Sequence, residues 1–113
     1  MKDTIFESLD GQFSFVIKDS AMGLKGFIVI DSTINGRAVG GLRMAKELTI
    51  EEIKDLARCM TLKSGFLGLP QGGAKSGIIA DGENISNKRK MELLRRFAEL
   101  SRHLLLKGRY TVG

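Results

Sequence analysis

The sequence is short of the residues that staple, stack or span. Cysteine occurs once, at Cys59, which excludes an internal disulfide framework and fits a reducing compartment, so a cytoplasmic location is the expectation. Neither Cys59 nor His103 has partners at metal-ligand spacing, so no metal site is expected. Cys59 reads as a core or near-core thiol, and His103 as a helix-end residue that favours the C-terminal dipole. Tryptophan is absent and Tyr110 is the single tyrosine. With no aromatics interleaved among the basic residues, base stacking has no platform. No apolar run approaches the roughly 20 residues of a membrane span. The start, Met1 to Glu7, lacks the apolar stretch of a secretory signal. No Gly-x-Gly-x-x-Gly occurs, so the chain carries no dinucleotide fingerprint.

What is present suits one globular domain. The 113 residues are 42% hydrophobic and 27% charged, near the soluble average, which excludes disordered and fibrous classes. A chain of this size buries somewhat over about 60% of its unfolded surface, enough for a core and one site. The net charge of +5 suits an anionic partner, a small carboxylate or a nucleic acid. The single proline is Pro70, and the glycines cluster between Gly36 and Gly41 and between Gly65 and Gly77. There the backbone turns sharply or meets a neighbour closely.

Phe13–Ile17 and Gly26–Ile30 read as strands joined by a turn at Ala21-Met22-Gly23. Ile34-Asn35-Gly36-Arg37 has hairpin chemistry, and Ala38–Met44 follows as one further strand containing Gly40-Gly41. Thr49-Ile50-Glu51-Glu52 is a capping-box start. The helix it opens carries Ile53, Leu56, Ala57, Met60 and Leu67 at helical spacing and ends at Gly68 and Pro70. Ala74–Ala80 reads as a short strand closed by Asp81-Gly82. Ser86 or Asn87 caps a helix reaching about Leu106, with Met91, Leu94, Phe97, Ala98, Leu104 and Leu105 as its apolar face. Gly108 stops it, and Arg109–Val112 begins another strand. This order predicts a three-layer α/β/α sandwich over a mostly parallel or mixed sheet.

Two lysines stand in positions that suggest chemistry. Lys63 follows Ile53, Leu56 and Met60 at steps of three and four, on the apolar stripe of its helix. Such a lysine either snorkels to the surface or waits at a pocket mouth for a carboxylate. Lys75 lies in Gly72-Gly73-Ala74-Lys75-Ser76-Gly77, where small neighbours give a ligand room; an exposed lysine on a flexible loop is the plainer alternative. Two amines close together would disfavour each other's protonation and leave one able to act as a base. The segment misses a P-loop by one residue and sits between a helix and a strand, the reverse of that motif's context. Lys88, Arg89, Lys90, Arg95, Arg96 and Arg102 interleave with Glu92 and Glu99, as a solvated helix face does. A nucleic-acid surface is the weaker reading of them.

Gly40-Gly41-Leu42-Arg43-Met44, Leu56-Ala57-Arg58-Cys59-Met60-Thr61-Leu62-Lys63 and Leu69-Pro70-Gln71-Gly72-Gly73-Ala74-Lys75-Ser76-Gly77-Ile78, in that order, resemble the glutamate/leucine/phenylalanine/valine dehydrogenases. The similarity runs from about Phe6 to the end. It implies a single N-terminal dimerisation and substrate domain over residues 1–113, with a homo-oligomer as the partner state. The family's reaction is reversible oxidative deamination of an L-amino acid to a 2-oxo acid and ammonia with NAD or NADP. By resemblance Lys63 would bind the substrate α-carboxylate, and Lys75 would be the catalytic amine acting on water and the carbinolamine oxygen. Gly40, Gly41 and Met60 would line the site.

Two departures shape the expectation. Glutamate-using members resemble Lys-Gly-Gly where this chain has Val39-Gly40-Gly41, so an apolar amino acid is the expected substrate. The family's acid/base aspartate and its nucleotide-binding Rossmann domain lie beyond the segment matched. The 113 residues alone are therefore expected to bind no cofactor and to be inactive. The rival reading is a stand-alone ligand-binding or oligomerisation module that keeps the pocket without the chemistry.

Overall fold

Helix starts are written locally, and both fall where the caps place them. In a computed structural model of the chain, which describes residues 3–9, 12–32, 38–102 and 110–112, Thr49 caps the first helix, α1 (Ile50–Phe66), its hydroxyl accepting from the Glu52 N–H at 3.2 Å. Ser86 caps the second, α2 (Asn87–Leu100), accepting from the Arg89 N–H at 3.1 Å. The strands are β1 (Asp3–Leu9), β2 (Gln12–Asp19), β3 (Leu24–Ile30), β4 (Ala38–Gly40), β5 (Leu42–Ala45), β6 (Gly72–Ile79) and β7 (Tyr110–Val112).

They form one mixed sheet in the order β1-β2-β3-β6-β4-β7, with β5 also paired to β6. The ladder from β1 through β2 and β3 to β6 is antiparallel. β4 and β5 run parallel to β6, and β7 runs parallel to β4. Alternation along β3 divides the core. Phe27 and Val29 join Leu48, Ile53 and Ala57 beneath α1. Ile28 and Ile30 join Phe15, Ile17, Leu93, Phe97 and Leu100 beneath α2. The helices thus cover opposite faces, which is the three-layer α/β arrangement expected.

Several local expectations change. The strand expected over Ala38–Met44 is two strands on one edge of β6, broken at Gly41, whose carbonyl accepts from the Ser76 N–H at 3.0 Å. Gly40 causes the break's tightness: a Cβ there would lie 1.6 Å from the Ala74 carbonyl oxygen, so only glycine allows the approach. Leu67 is the C-cap of α1, not a core position, and is 57% exposed. α2 buries Leu93, Phe97 and Leu100, whereas Met91 and Ala98 are exposed. It ends at Leu100, where the Ser101 hydroxyl donates to the Phe97 carbonyl at 2.6 Å. Cys59 is exposed on the outer side of α1, contrary to a core thiol. β1 had no counterpart among the expected strands. The Asn35-Gly36 hairpin, His103, Leu104, Leu105 and Arg109 lie outside the described residues.

Candidate functional site

β6 is a strand with little of its own bulk on one face. A Cβ on Gly73 would lie 2.1 Å from the Thr61 nitrogen and 2.6 Å from the Ala57 carbonyl oxygen of α1. A Cβ on Gly77 would lie 2.5 Å from Leu48 and 2.7 Å from Ile53. Both glycines therefore face α1, and the helix rests almost on the strand's backbone. Lys75 stands between them, so by the two-residue period of a strand it shares their face. It is half-buried, and its register partner on β3 is the buried Val29. On the other edge of β6 the β4–β5 break at Gly41 removes a side chain beside it. The lysine thus lies in a trough of glycine with an apolar neighbour.

The other expected residues gather on or near this face. Val39 is half-buried and in register with Gly73. Met60 is half-buried on α1, and its backbone carbonyl carbon is 2.6 Å from where the Gly73 Cβ would be. Gly40 is buried and Gly41 half-buried at the strand break. Lys63 departs from its expected place on the apolar stripe: it is exposed. α1 buries Ile53, Ala57 and Ser64. The expected stripe holds at Ile53 and Ala57, with Leu56 and Met60 half-buried, but it ends on Ser64, and Lys63 falls outside it.

A polar cluster beside this face was missed in the sequence. Asp31 follows the buried end of β3, and its side chain is 1% exposed. The Thr61 hydroxyl donates to Asp31 Oδ2 at 2.6 Å and accepts from the Gly73 N–H at 3.1 Å. The Asp31 N–H in turn donates to the Gly73 carbonyl at 2.9 Å. Arg58 Nε lies 3.2 Å from Asp31 Oδ1. Thr61 stands within the Met60–Lys63 motif, and that position was the available signal.

On the opposite face the basic residues of α2 are partly structural. Arg96 Nε donates to Asp19 Oδ2 at 2.7 Å, and Arg89 donates to the Met22 carbonyl. The Arg96 bond holds the Asp19 carboxyl below its ordinary range, against the opposing effect of burial. A cavity of about 710 Å³ lies between β5, the Asp81–Asn84 turn and α2, and none of the expected site residues lines it.

A dinucleotide needs a glycine-rich turn whose N–H groups receive its pyrophosphate at a helix start. The turn from β6 to α2 instead presents Asp81 and Glu83. Asn84 donates to Asp81 at 2.6 Å and keeps its carboxyl below the usual range. That turn repels a pyrophosphate. The turn from β5 to α1, Lys46 to Thr49, has no glycine. The nicotinamide cofactor implied by the resemblance therefore does not fit the described strand-to-helix turns.

Residues 11–107 match the family described as Glu/Leu/Phe/Val dehydrogenase, dimerisation domain. The chain is 35% identical to a valine dehydrogenase from Streptomyces virginiae over 97% of its own length and 31% of that protein's. It is 38% identical to a leucine dehydrogenase from Bacillus cereus over 92% of its length and 28% of that protein's. The L-tryptophan dehydrogenase of Nostoc punctiforme superposes with a TM-score of 0.73 at 27% identity, covering 96% of this chain and 30% of that one. The chain thus spans under a third of the length of these relatives.

Proposed function

Because this chain belongs to the Glu/Leu/Phe/Val dehydrogenase family and corresponds to its dimerisation domain, we propose that it is the substrate-binding and dimer-forming part of an apolar amino-acid dehydrogenase. The observation that carries this reading is the α1-side trough of β6, where Lys75 is flanked by Gly73 and Gly77 and bordered by Val29 and the Gly41 break.

In the proposed reaction an L-amino acid loses hydride and ammonia and gains the oxygen of water, giving a 2-oxo acid. The hydride acceptor would be a nicotinamide nucleotide, NAD or NADP, which the described strand-to-helix turns of this chain do not fit. This chain's share is binding and proton handling. The Lys63 ammonium attracts the α-carboxylate. The Lys75 amine, flanked along its own strand face by Gly73 and Gly77, reaches the carbon at which water adds. As a free amine it takes a proton from that water, and as an ammonium it donates a hydrogen bond to the carbinolamine oxygen. Val39 borders the substrate side chain. A side-chain carboxylate beside it would be buried without a counter-charge, at a cost of several kcal/mol. The 113 residues alone should hold a 2-oxo acid weakly and turn over no amino acid.

The test is a titration of the purified chain with 2-oxo-4-methylpentanoate and with 2-oxoglutarate, followed by amide NMR shifts. Shifts should centre on Val39, Gly41, Lys63 and Lys75, with preference for the apolar acid. Val39→Lys should raise the 2-oxoglutarate affinity about tenfold, the scale of one charged hydrogen bond. Shifts elsewhere, or tighter 2-oxoglutarate binding with Val39 in place, would contradict the assignment. Reduction of NAD or NADP by the chain alone, read by absorbance, would contradict the division of labour.

A further inference from the structure

We propose that Asp31 and Thr61 are positioning residues: with Gly73 they close a hydrogen-bonded ring that fixes where Lys63 stands relative to Lys75. This rests on the reading above that Lys63 and Lys75 act on one bound substrate, Lys63 on its α-carboxylate and Lys75 at its reacting carbon.

The ring joins three separate elements. The Asp31 N–H, just past β3, donates to the Gly73 carbonyl of β6. The Gly73 N–H donates to the Thr61 hydroxyl of α1 at 3.1 Å. That hydroxyl donates its one proton back to Asp31 Oδ2 at 2.6 Å. Thr61 is two residues before Lys63, Gly73 is two residues before Lys75, and Asp31 is two residues after Val29, the partner of Lys75. Each lysine thus stands two residues from a ring member on its own element. A slip of α1 along β6 would break the ring and shift Lys63 relative to Lys75.

Stability alone explains the ring poorly. The Asp31 side chain is 1% exposed, whereas that of Arg58 is 63% exposed. A carboxylate is thus taken out of water while its cation stays wet, an arrangement that an apolar residue of similar volume often matches or betters. What a carboxylate does that an apolar residue cannot is direct a proton. Thr61 has a competing acceptor in its own helix, the Ala57 carbonyl at 3.3 Å. Asp31 draws the hydroxyl proton across to β3 and leaves an oxygen lone pair for Gly73. Without Asp31 the proton is left with the Ala57 carbonyl and the Ser32 hydroxyl, each at 3.3 Å, and the short bond from α1 to the end of β3 is lost.

Thr61→Val keeps the shape and removes the hydroxyl, whereas Thr61→Ser keeps the hydroxyl. In the full chain, 2-oxo-4-methylpentanoate affinity is read from the Lys63 and Lys75 amide shifts, with melting temperature measured alongside. Thr61→Val should weaken binding about five- to tenfold, and Thr61→Ser should stay within about twofold of the parent. Asp31→Asn, which keeps an acceptor but loses the charge facing Arg58, should fall between them. A folded Thr61→Val chain that binds like the parent, while Lys63→Ala does not bind, would overturn the ring's role and leave the lysine site standing. Equal weakening by Thr61→Ser and Thr61→Val would also overturn it. If Thr61→Val does not fold, Asp31→Asn decides: a folded chain with parental affinity overturns the proposal. Binding untouched by Lys63→Ala and Lys75→Ala would remove the site reading itself, and the ring's role with it.

Discussion

The two faces of the sheet are built on opposite plans. Beneath α2 the layer is filled by large apolar side chains, with Phe15, Ile17, Ile28, Leu93, Phe97 and Leu100 buried together. Beneath α1 the contact with β6 is made by what is missing: Gly73 and Gly77 on the strand, Ala57 and Ser64 on the helix, and a ring of hydrogen bonds through Thr61. Bulk gives the first face cohesion. Close approach gives the second face a fixed backbone and a trough with a lysine in it. Both faces bury an apolar cluster, and on the reading proposed above the α1 face is also the one shaped for a ligand.

The largest effect expected from breaking this contrast is on the α2 side. The Phe97 ring lies over Gly26, where a Cβ would fall 2.6 Å from the nearest ring carbon, so Gly26 offers no side chain to fill the space if the ring goes. Phe97→Ala should cost about 3–5 kcal/mol, the upper range for an aromatic truncation that cannot collapse. Urea denaturation should show the midpoint falling with the slope unchanged. A loss below about 1 kcal/mol would mean that the α2 layer is not the cohesive one.

On the α1 side a single methyl is the sharper probe. Gly73→Ala puts a Cβ against the Thr61 and Ala57 backbone, which no rotamer change relieves. Overpacking of this kind costs about 1–3 kcal/mol. Because the methyl pushes α1 off β6, the variant should lose 2-oxo acid binding more than its modest stability loss suggests. Phe97→Ala should do the reverse, binding normally while it remains folded. If the two variants lose binding and stability in the same proportion, the division between faces is wrong.

This contrast also explains what the sequence disclosed. Thr49 and Ser86 act on N–H groups three residues away, so both helix starts were legible. The identity of β6 and its lysine was legible because the glycines lie next to Lys75. Asp31 was not, since its threonine is 30 residues along the chain. Lys63 reads as inward because it continues the steps from Ile53, Leu56 and Met60, while the real seam follows Ile53, Ala57 and Ser64 and leaves Lys63 and Cys59 exposed. β4 and β5 read as one strand because the break at Gly40-Gly41 is imposed by the Ala74 backbone from across the sheet.

A smaller effect should come from acid. Asp19 is held below its ordinary value of 3.8 chiefly by the Arg96 hydrogen bond, with a further bond from the Met22 N–H. A carboxyl with a lowered folded pKa adds stability that is complete above the unfolded value and is lost as pH falls through the folded one. Asp19→Asn should therefore be less stable than the parent at pH 7. The gap should close as pH drops from about 4 downward, where the parent's carboxylate is being protonated. Urea midpoints at several pH values measure this. A gap that stays constant into acid would mean that Asp19 acts through its shape and not its charge.

The smallest effect on stability should come from the most conspicuous residue. Phe66 ends α1 with 91% of its surface exposed, beside Leu62 at 62% and Leu67 at 57%. Its ring buries almost nothing within the chain, so Phe66→Ser should shift stability by no more than about 0.5 kcal/mol, as exposed substitutions do. Calorimetry at a dilution where light scattering reports monomer isolates that term from any association. Set beside Phe97→Ala, the pair asks one question of two phenylalanines on two helices. A large loss from Phe66→Ser in the monomer would show that the outer side of α1 supports the fold. The α1 face would then be a second cohesive layer, and its glycines would need an explanation other than room for a ligand.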